Sequence, residues 1–181
     1  DVDGDGIPYR TLPGTHPTKG SYFTRGTSRD EYAAYTEDSE AYVRNMQRLL
    51  KKWETAKGMV PAPHLYQQKN TSDIGVIFFG TSTYAAEEAM DYLKAEGMKV
   101  DGMRLKSFPF NKSVEEFIHS HKQIFLIEQN RDAQMKSLFA IEMGIDPHHI
   151  TSVLNYDGMP ITADFILSEI RKSLKVETVK Q

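Results

Sequence analysis

The second half of this sequence predicts an α/β fold, a parallel sheet with helices on both faces, and three observations carry that expectation. Ile74-Gly75-Val76-Ile77-Phe78-Phe79 and Ile124-Phe125-Leu126-Ile127 are continuous apolar runs, as strands buried on both faces require. Each is followed by a stretch whose apolar residues return at helical spacing. Strand and helix alternate four times, the order that packs as parallel strands joined by helical crossovers. Nothing of this kind precedes residue 58. The chain therefore reads as a three-layer parallel-sheet domain preceded by an irregular arm and a helix.

The arm is rich in turn formers: residues 1–26 hold five of the twelve Gly and three of the eight Pro. Its large apolar residues are Ile7, Tyr9, Leu12, Tyr22 and Phe23, too few to offset the entropy of ordering it alone. It must lie against something else. From Asp38 the pattern changes, with Tyr42, Val43, Met46, Leu49, Leu50 and Trp53 at helical spacing. Asp38 or Ser39 can cap this helix, Glu40 suits its first turn, and Gly58 suits the residue past its end. Arg44, Arg48, Lys51, Lys52 and Lys57 favour the negative end of its dipole. Val60-Pro61-Ala62-Pro63 and the polar run 67–73 read as a linker. The expected divisions are thus 1–57 for arm and helix, 58–73 for the linker and 74–181 for the sheet domain.

Within that domain, residues 84–96 form a helix closed by Gly97, and 98–105 a second strand. Ser113 and Glu116 make a capping box for a short helix to His121. After the strand at 124–127 comes a helix over 133–143 ending at Gly144, then a strand at 150–154. Thr162 caps a last helix through Leu174, whose apolar face is Phe165, Ile166, Leu167, Ile170 and Leu174.

Composition excludes several chemistries. Lys and Arg number 22 against 25 Asp and Glu, a net charge of −3, so no strong field invites nucleic acid or an anionic membrane. No stretch approaches the roughly 20 apolar residues of a membrane helix. With no Cys, this chain forms no disulfide scaffold, thiolate zinc site, iron–sulfur cluster or Cys nucleophile. That usage fits a cytoplasmic location. A start at Asp1 without a signal-peptide pattern leads us to expect a piece of a longer protein.

Five constellations could carry chemistry. Asp1-Val2-Asp3-Gly4-Asp5-Gly6 imitates the opening of a calcium loop, but the twelfth position is Leu12 and Pro8 interrupts the approach, so it reads as a turn. Gly80-Thr81-Ser82-Thr83 lies between strand and helix, where free N–H groups could hold a phosphate; a plain helix cap explains the same residues. The histidines 119, 121, 148 and 149 lack metal-ligand spacing and read as solvated helix ends. Glu128-Gln129-Asn130 with Gln134, and Asn155-Tyr156-Asp157-Gly158, fall at carboxyl ends of parallel strands, where such folds bind ligands. Asn130 and Asp132 serve equally as helix caps, and Asp157-Gly158 as a turn. Lys19, Arg25 and Arg29 are cations in the arm, with Asp30 and Glu31 after them.

Gly6-Ile7-Pro8-Tyr9-Arg10-Thr11-Leu12-Pro13-Gly14-Thr15 and Arg25-Gly26-Thr27-Ser28-Arg29-Asp30-Glu31-Tyr32 resemble the alpha subunit of 2-oxoacid:ferredoxin oxidoreductases, of the 2-oxoglutarate type. Glu128-x-Asn130-x-x-x-Gln134 and Asn155-Tyr156-Asp157-Gly158-x-Pro160 resemble the same subunit's last domain, which is similar to the C-terminal domain of transketolases. The resemblance implies part of a thiamine diphosphate enzyme that decarboxylates a 2-oxoacid oxidatively, reduces ferredoxin through iron–sulfur clusters and forms acyl-coenzyme A. It implies a beta subunit as partner, with thiamine diphosphate, Mg and the clusters bound in the full complex and none by this fragment. Its Tyr-Pro-Ile-Thr-Pro motif is absent here, so the expected role is assembly, without a catalytic residue. Arg25, Arg29 and Asp30 are expected near the active site or subunit junction. Relatives carry His where this chain has Arg29, and Gly where it has Ala133. The competing reading is a stand-alone flavodoxin-like module whose 80–83 loop binds a flavin phosphate.

Overall fold

The computed structural model describes residues 1–20, 26, 28–66 and 72–179, with side chains of the last helix described through residue 174. The chain divides into two compact units, Asp1–Val60 and Pro61–Gln181.

In the first unit the Asp38 carboxylate accepts from Ala41 N at 2.7 Å and opens helix α1 (Ser39–Met59). The helix passes through Gly58, expected to lie beyond its end. The stop comes from Pro61 instead, since the residue before a proline is pushed out of the helical region and Val60 is extended at φ −74°, ψ 153°. The arm's opening turn lies against this helix. Arg48 donates to the Gly6 carbonyl at 2.8 Å and Thr55 Oγ1 to the Asp5 carbonyl at 2.6 Å. Gly6 has φ +82°, and a Cβ there would stand 2.3 Å from Lys52 N. Only glycine permits that approach. Most of the apolar stripe of α1 stays open: Tyr42, Val43, Leu49 and Leu50 are exposed, and Ala41 is its one buried residue.

The second unit is a five-stranded sheet in the order β1-β3-β2-β4-β5. Strands β2 (Ile74–Phe79), β3 (Asp101–Leu105), β4 (Gln123–Glu128) and β5 (Ile150–Leu154) run parallel, as expected from their apolar runs. The stretch read as linker holds a short strand, β1 (His64–Tyr66), antiparallel to β3 in the register His64↔Arg104. Its Tyr66 hydroxyl donates to Glu87, and burial followed by that bond pushes the phenol's ionisation up, so it remains a donor.

Two helices cover each face. Val76, Phe78, Phe125, Ile127 and Val153 face α2 (Thr83–Ala95) and α5 (Ala163–Val179) through Ala86, Met90, Leu93, Ile166 and Ile170. Ile77, Met103, Ile124 and Leu126 point the other way, toward Val114, Phe117 and Ile118 of α3 (Lys112–Ser120) and Phe139 of α4 (Gln134–Met143). Alternate residues of each central strand thus serve opposite layers, the reason the runs are unbroken in apolar character. The N-cap of α3 is Asn111, whose Oδ1 accepts from Ser113 N at 3.1 Å, so the Ser113–Glu116 capping box does not form. Asn ranks with the best caps, and its extended backbone lets it sit one step ahead of the helix. Thr162 caps α5 as expected, accepting from Phe165 N at 3.2 Å.

Candidate functional site

The strand order places the switch of direction between β2 and β4, and ligands in open parallel sheets bind beyond the carboxyl ends of such a pair. Here that crevice is filled by internal bonds. Ser82 Oγ donates to the Phe79 carbonyl at 2.6 Å and Thr83 Oγ1 to the Gly80 carbonyl at 2.7 Å. Gln129 Nε2 spans from β4 to Thr81 Oγ1 at 2.8 Å. The Ser82 and Thr83 hydroxyls are turned to their own backbone, while that of Thr81 accepts from Gln129. The cap reading of 80–83 is not met by its side chains, since Ser82 at the N-cap of α2 makes no capping bond, and the Ser82 and Thr83 hydroxyls donate to carbonyls rather than toward a flavin phosphate.

Glu128, at the end of β4, is fully buried. One carboxylate oxygen accepts from Met135 N and from Asn130 Nδ2, each at 2.8 Å, and the other accepts from Lys136 N at 3.2 Å. Asn130 Oδ1 takes Asp132 N at 3.1 Å and Gln134 N at 3.2 Å. A carboxylate and an amide on the strand end therefore cap α4 together, placing negative charge at the positive end of its dipole. Asp132, also read as a cap, pairs instead with Arg131 at 2.7 Å. The Glu128-x-Asn130 spacing is one of helix capping. Ala133 stands at the joint in the left-handed region, φ 49°, ψ 50°. That conformation costs an L-residue about 1–2 kcal/mol, more than the entropy a glycine would forfeit. Ala133→Gly should therefore raise the melting midpoint by about 2–4 °C, which calorimetric scanning measures; a fall would show that the joint carries no strain.

Asn155 N donates to the Glu128 carbonyl at 2.9 Å, extending the β4–β5 ladder by one bond. The following turn is closed by Asp157 Oδ1 on Met159 N at 2.9 Å, with Gly158 at φ +84°. Tyr156 and Met159 project from it, exposed.

The histidines do not converge. His119 and His148 are exposed, and His149 faces the Ile118 carbonyl at 3.1 Å. His121, read as a solvated helix end, is buried. Its Nδ1 lies 2.7 Å from the Phe117 carbonyl and its Nε2 3.3 Å from Asp101 Oδ2. Asp101 begins β3 and also accepts Ser72 N at 3.0 Å. Gly75 makes room for this pair, because a Cβ there would meet the His121 ring at 3.1 Å and Phe117 at 2.9 Å. No group of three or more His, Asp or Glu suited to a metal ion occurs among the described residues. The Asp-Gly opening disperses its carboxylates: Asp1 accepts from Gly6 N, Asp5 from Ile7 N and Asp3 from the Tyr9 hydroxyl.

Of the arm residues singled out, Arg25 lies outside the described residues. Arg29 and Asp30 sit together in a tight loop. Asp30 Oδ1 accepts from Tyr32 N and Ala34 N, both at 2.9 Å, and Arg29 donates to the Ala33 carbonyl at 2.8 Å. The Arg29 carbonyl accepts from Asn45 of α1. Asp30 thus shapes the loop that presents Arg29. Both line an open groove of about 910 Å³ within the first unit, between the arm and α1. Lys19, read as one of the arm's cations, lies on its wall, and so does Arg10, which sequence reasoning did not single out. Their spacing carries no signal, because the arm's turns bring them together.

The geometry defines an α/β unit with internally satisfied strand ends and, separately, an arm folded against a helix. No family model matches the chain. It is similar to the 2-oxoacid:ferredoxin oxidoreductase subunit alpha of Saccharolobus solfataricus, 26% identical over 159 residues, which is 86% of this chain and 24% of that protein. The chain thus spans about a quarter of that relative's length. Its fold is similar to 2-oxoglutarate:ferredoxin oxidoreductase from Magnetococcus marinus, solved with 2-oxoglutarate, coenzyme A and succinyl-CoA bound. That match has a TM-score of 0.79 at 21% identity and covers 93% of this chain and 29% of that one. An inactive β4 tetramer of a split-gene transketolase aligns over 62% of this chain and 41% of its own, with TM-score 0.49 and 19% identity. The resemblance to the alpha subunit, expected from the arm and strand-end motifs, is thus present across both units. No helix among the described residues is long and apolar enough to cross a membrane.

Proposed function

We propose that this chain is part of the alpha subunit of a 2-oxoacid:ferredoxin oxidoreductase, serving assembly of the enzyme rather than its chemistry. One observation carries the reading: similarity to the alpha subunit runs through both the arm and the sheet unit, over 86% of the chain. The Magnetococcus marinus enzyme, with its bound 2-oxoglutarate, coenzyme A and succinyl-CoA, favours 2-oxoglutarate as substrate and coenzyme A as acyl acceptor. On this reading the partners are a beta subunit, ferredoxin and coenzyme A, in the cytoplasm. Thiamine diphosphate with Mg and the iron–sulfur clusters belong to other parts of the complex. The described residues do not fit the thiamine cofactor. The hydroxyls at the strand ends are turned inward, and the Glu128 carboxylate that could have met a metal is spent on α4. Arg25, Arg29 and Asp30 are assigned to the active-site margin or the subunit junction.

Titration calorimetry on the isolated chain tests the division of labour. Neither micromolar binding of thiamine diphosphate nor 2-oxoglutarate decarboxylation is expected, and either would overturn it. In the assembled enzyme, Arg25→Gln with Arg29→Gln should alter turnover or subunit association. Unchanged kinetics and assembly would remove both residues from the margin. The flavodoxin-like alternative requires a yellow protein, and a colourless preparation is expected.

A further inference from the structure

The arm occupies one side of α1 and leaves another open. Ala41, Asn45, Arg48, Lys52 and Thr55 follow one another at alternating spacings of four and three. Ala41 is buried, Asn45 donates to the Arg29 carbonyl, Arg48 to that of Gly6 and Thr55 to that of Asp5, and Gly6 lies against Lys52. One residue further on, Tyr42, Met46, Leu49 and Trp53 repeat the same alternation about 100° around the helix. Val43 and Leu50 widen this second row. Its six side chains are between 37% and 69% exposed. Such spacing on a helix of 21 residues is that of a coiled-coil seam, which packs on another helix.

We propose that this row is the contact between two copies of the chain, their α1 helices packed antiparallel. The row is self-complementary. Its spacing of four, three and four reads the same in both directions, so a two-fold axis near Gln47 sets Tyr42 against Trp53, Met46 against Leu49 and Val43 against Leu50 of the other copy. Charge favours the same arrangement. The chain enters α1 through Glu37, Asp38 and Glu40, while the second half of the helix carries Lys51, Lys52 and Lys57 against one acid, Glu54. Lys51 meets Asp1 at 3.6 Å and Lys57 meets Glu54 at 2.7 Å within the chain, but the two ends still differ in sign. Antiparallel packing sets each acidic end beside a basic one, and parallel packing would set like beside like. Six side chains so exposed present on the order of 600 Å² per copy, and two copies reach the lower bound of a stable interface, about 1,200 Å². Tyr42, Met46 and Leu49 are also the apolar side of the arm–helix groove, which the other copy would cover. The contact stands independently of the assignment to a 2-oxoacid oxidoreductase.

Sedimentation equilibrium on the 181-residue chain tests the contact. A monomer–dimer equilibrium with a micromolar dissociation constant is expected, as suits an interface of this size. Val43→Glu with Leu50→Glu brings like charges together across the axis and should weaken the dimer about tenfold or more, with circular dichroism unchanged. Tyr84→Glu, at an exposed position in the other unit, should leave it intact. Because the chain has no Cys, introduced thiols report the register. Val43→Cys with Leu50→Cys should give a disulfide-linked dimer on oxidation with diamide, and either cysteine alone far less. Within one helix the two positions stand about 10 Å apart, too far to bridge. A chain that stays monomeric to about 200 µM, well above the expected constant, would overturn the assignment. A dimer that the paired glutamates leave intact would also overturn it, as would cross-linking equally efficient through a single cysteine.

Discussion

His121→Leu is expected to cost the sheet unit about 3–5 kcal/mol of stability, the effect of taking an imidazole away from a buried carboxylate. Both side chains of the pair are fully buried. Nδ1 of the ring meets the Phe117 carbonyl at 2.7 Å and Nε2 meets Asp101 Oδ2 at 3.3 Å. Removing the ring takes this contact from the carboxylate and opens a void against Gly75 and Phe117. The contact joins the residues before β2, the start of β3 and the end of α3, so its loss loosens three connections at the end of the sheet where the parallel strands begin. Asp101→Leu should be nearly as damaging, since it removes the acceptor of both the ring and Ser72 N. Combining the two should cost less than their sum, with a coupling of about 1–3 kcal/mol. Urea unfolding of the four proteins measures the cycle. Single losses below about 1 kcal/mol, or strict additivity, would show that the pair adds nothing beyond its packing.

Glu128→Ala is the second large effect, expected at about 2–4 kcal/mol. Three donors lose their acceptor together: two backbone N–H groups at the start of α4 and the Asn130 amide. Asn130 then has less reason to hold its own bonds to Asp132 N and Gln134 N, so the first turn of α4 should fray. Glu128→Gln keeps one acceptor oxygen and should fall between alanine and the parent. Hydrogen exchange localises the change, with faster exchange expected at Gln134, Met135 and Lys136 and little effect on β2. Unchanged protection at those amides would mean that the carboxylate does not cap the helix.

How far the sequence discloses this molecule depends on the range of the forces involved. The central strands were legible because burial on both faces demands unbroken apolar runs, and the α1 start because Asp38 bonds only three residues ahead. Strand β1 was not. Three residues between prolines and a polar run carry no period, and only pairing with β3 makes His64–Tyr66 a strand. The burial of His121 was hidden similarly, its partner lying twenty residues back on another element. At α3 two acceptable caps lie two residues apart, and local preference does not choose between Asn111 and Ser113. In the strand-end motifs the residues were visible while their direction was legible only in part. Asn130 turns to α4 as its reading as a cap has it, whereas the turn of the Glu128 carboxylate to the same helix was not read from the sequence. The arm was legible as a segment lacking a core, but its groove depends on turns that gather distant cations.

Strand β1 also bears on how the protein behaves at high concentration. A sheet margin with open N–H and C=O groups is a template on which other chains can add strands and grow fibrils. Here that side of β3 is occupied by a strand of only three residues, with Pro61 and Pro63 immediately ahead of it. Proline cannot donate to a ladder, so a foreign strand finds neither length nor continuous donors. The segment closes this side of β3 to strand addition, while β5 forms the sheet's other margin.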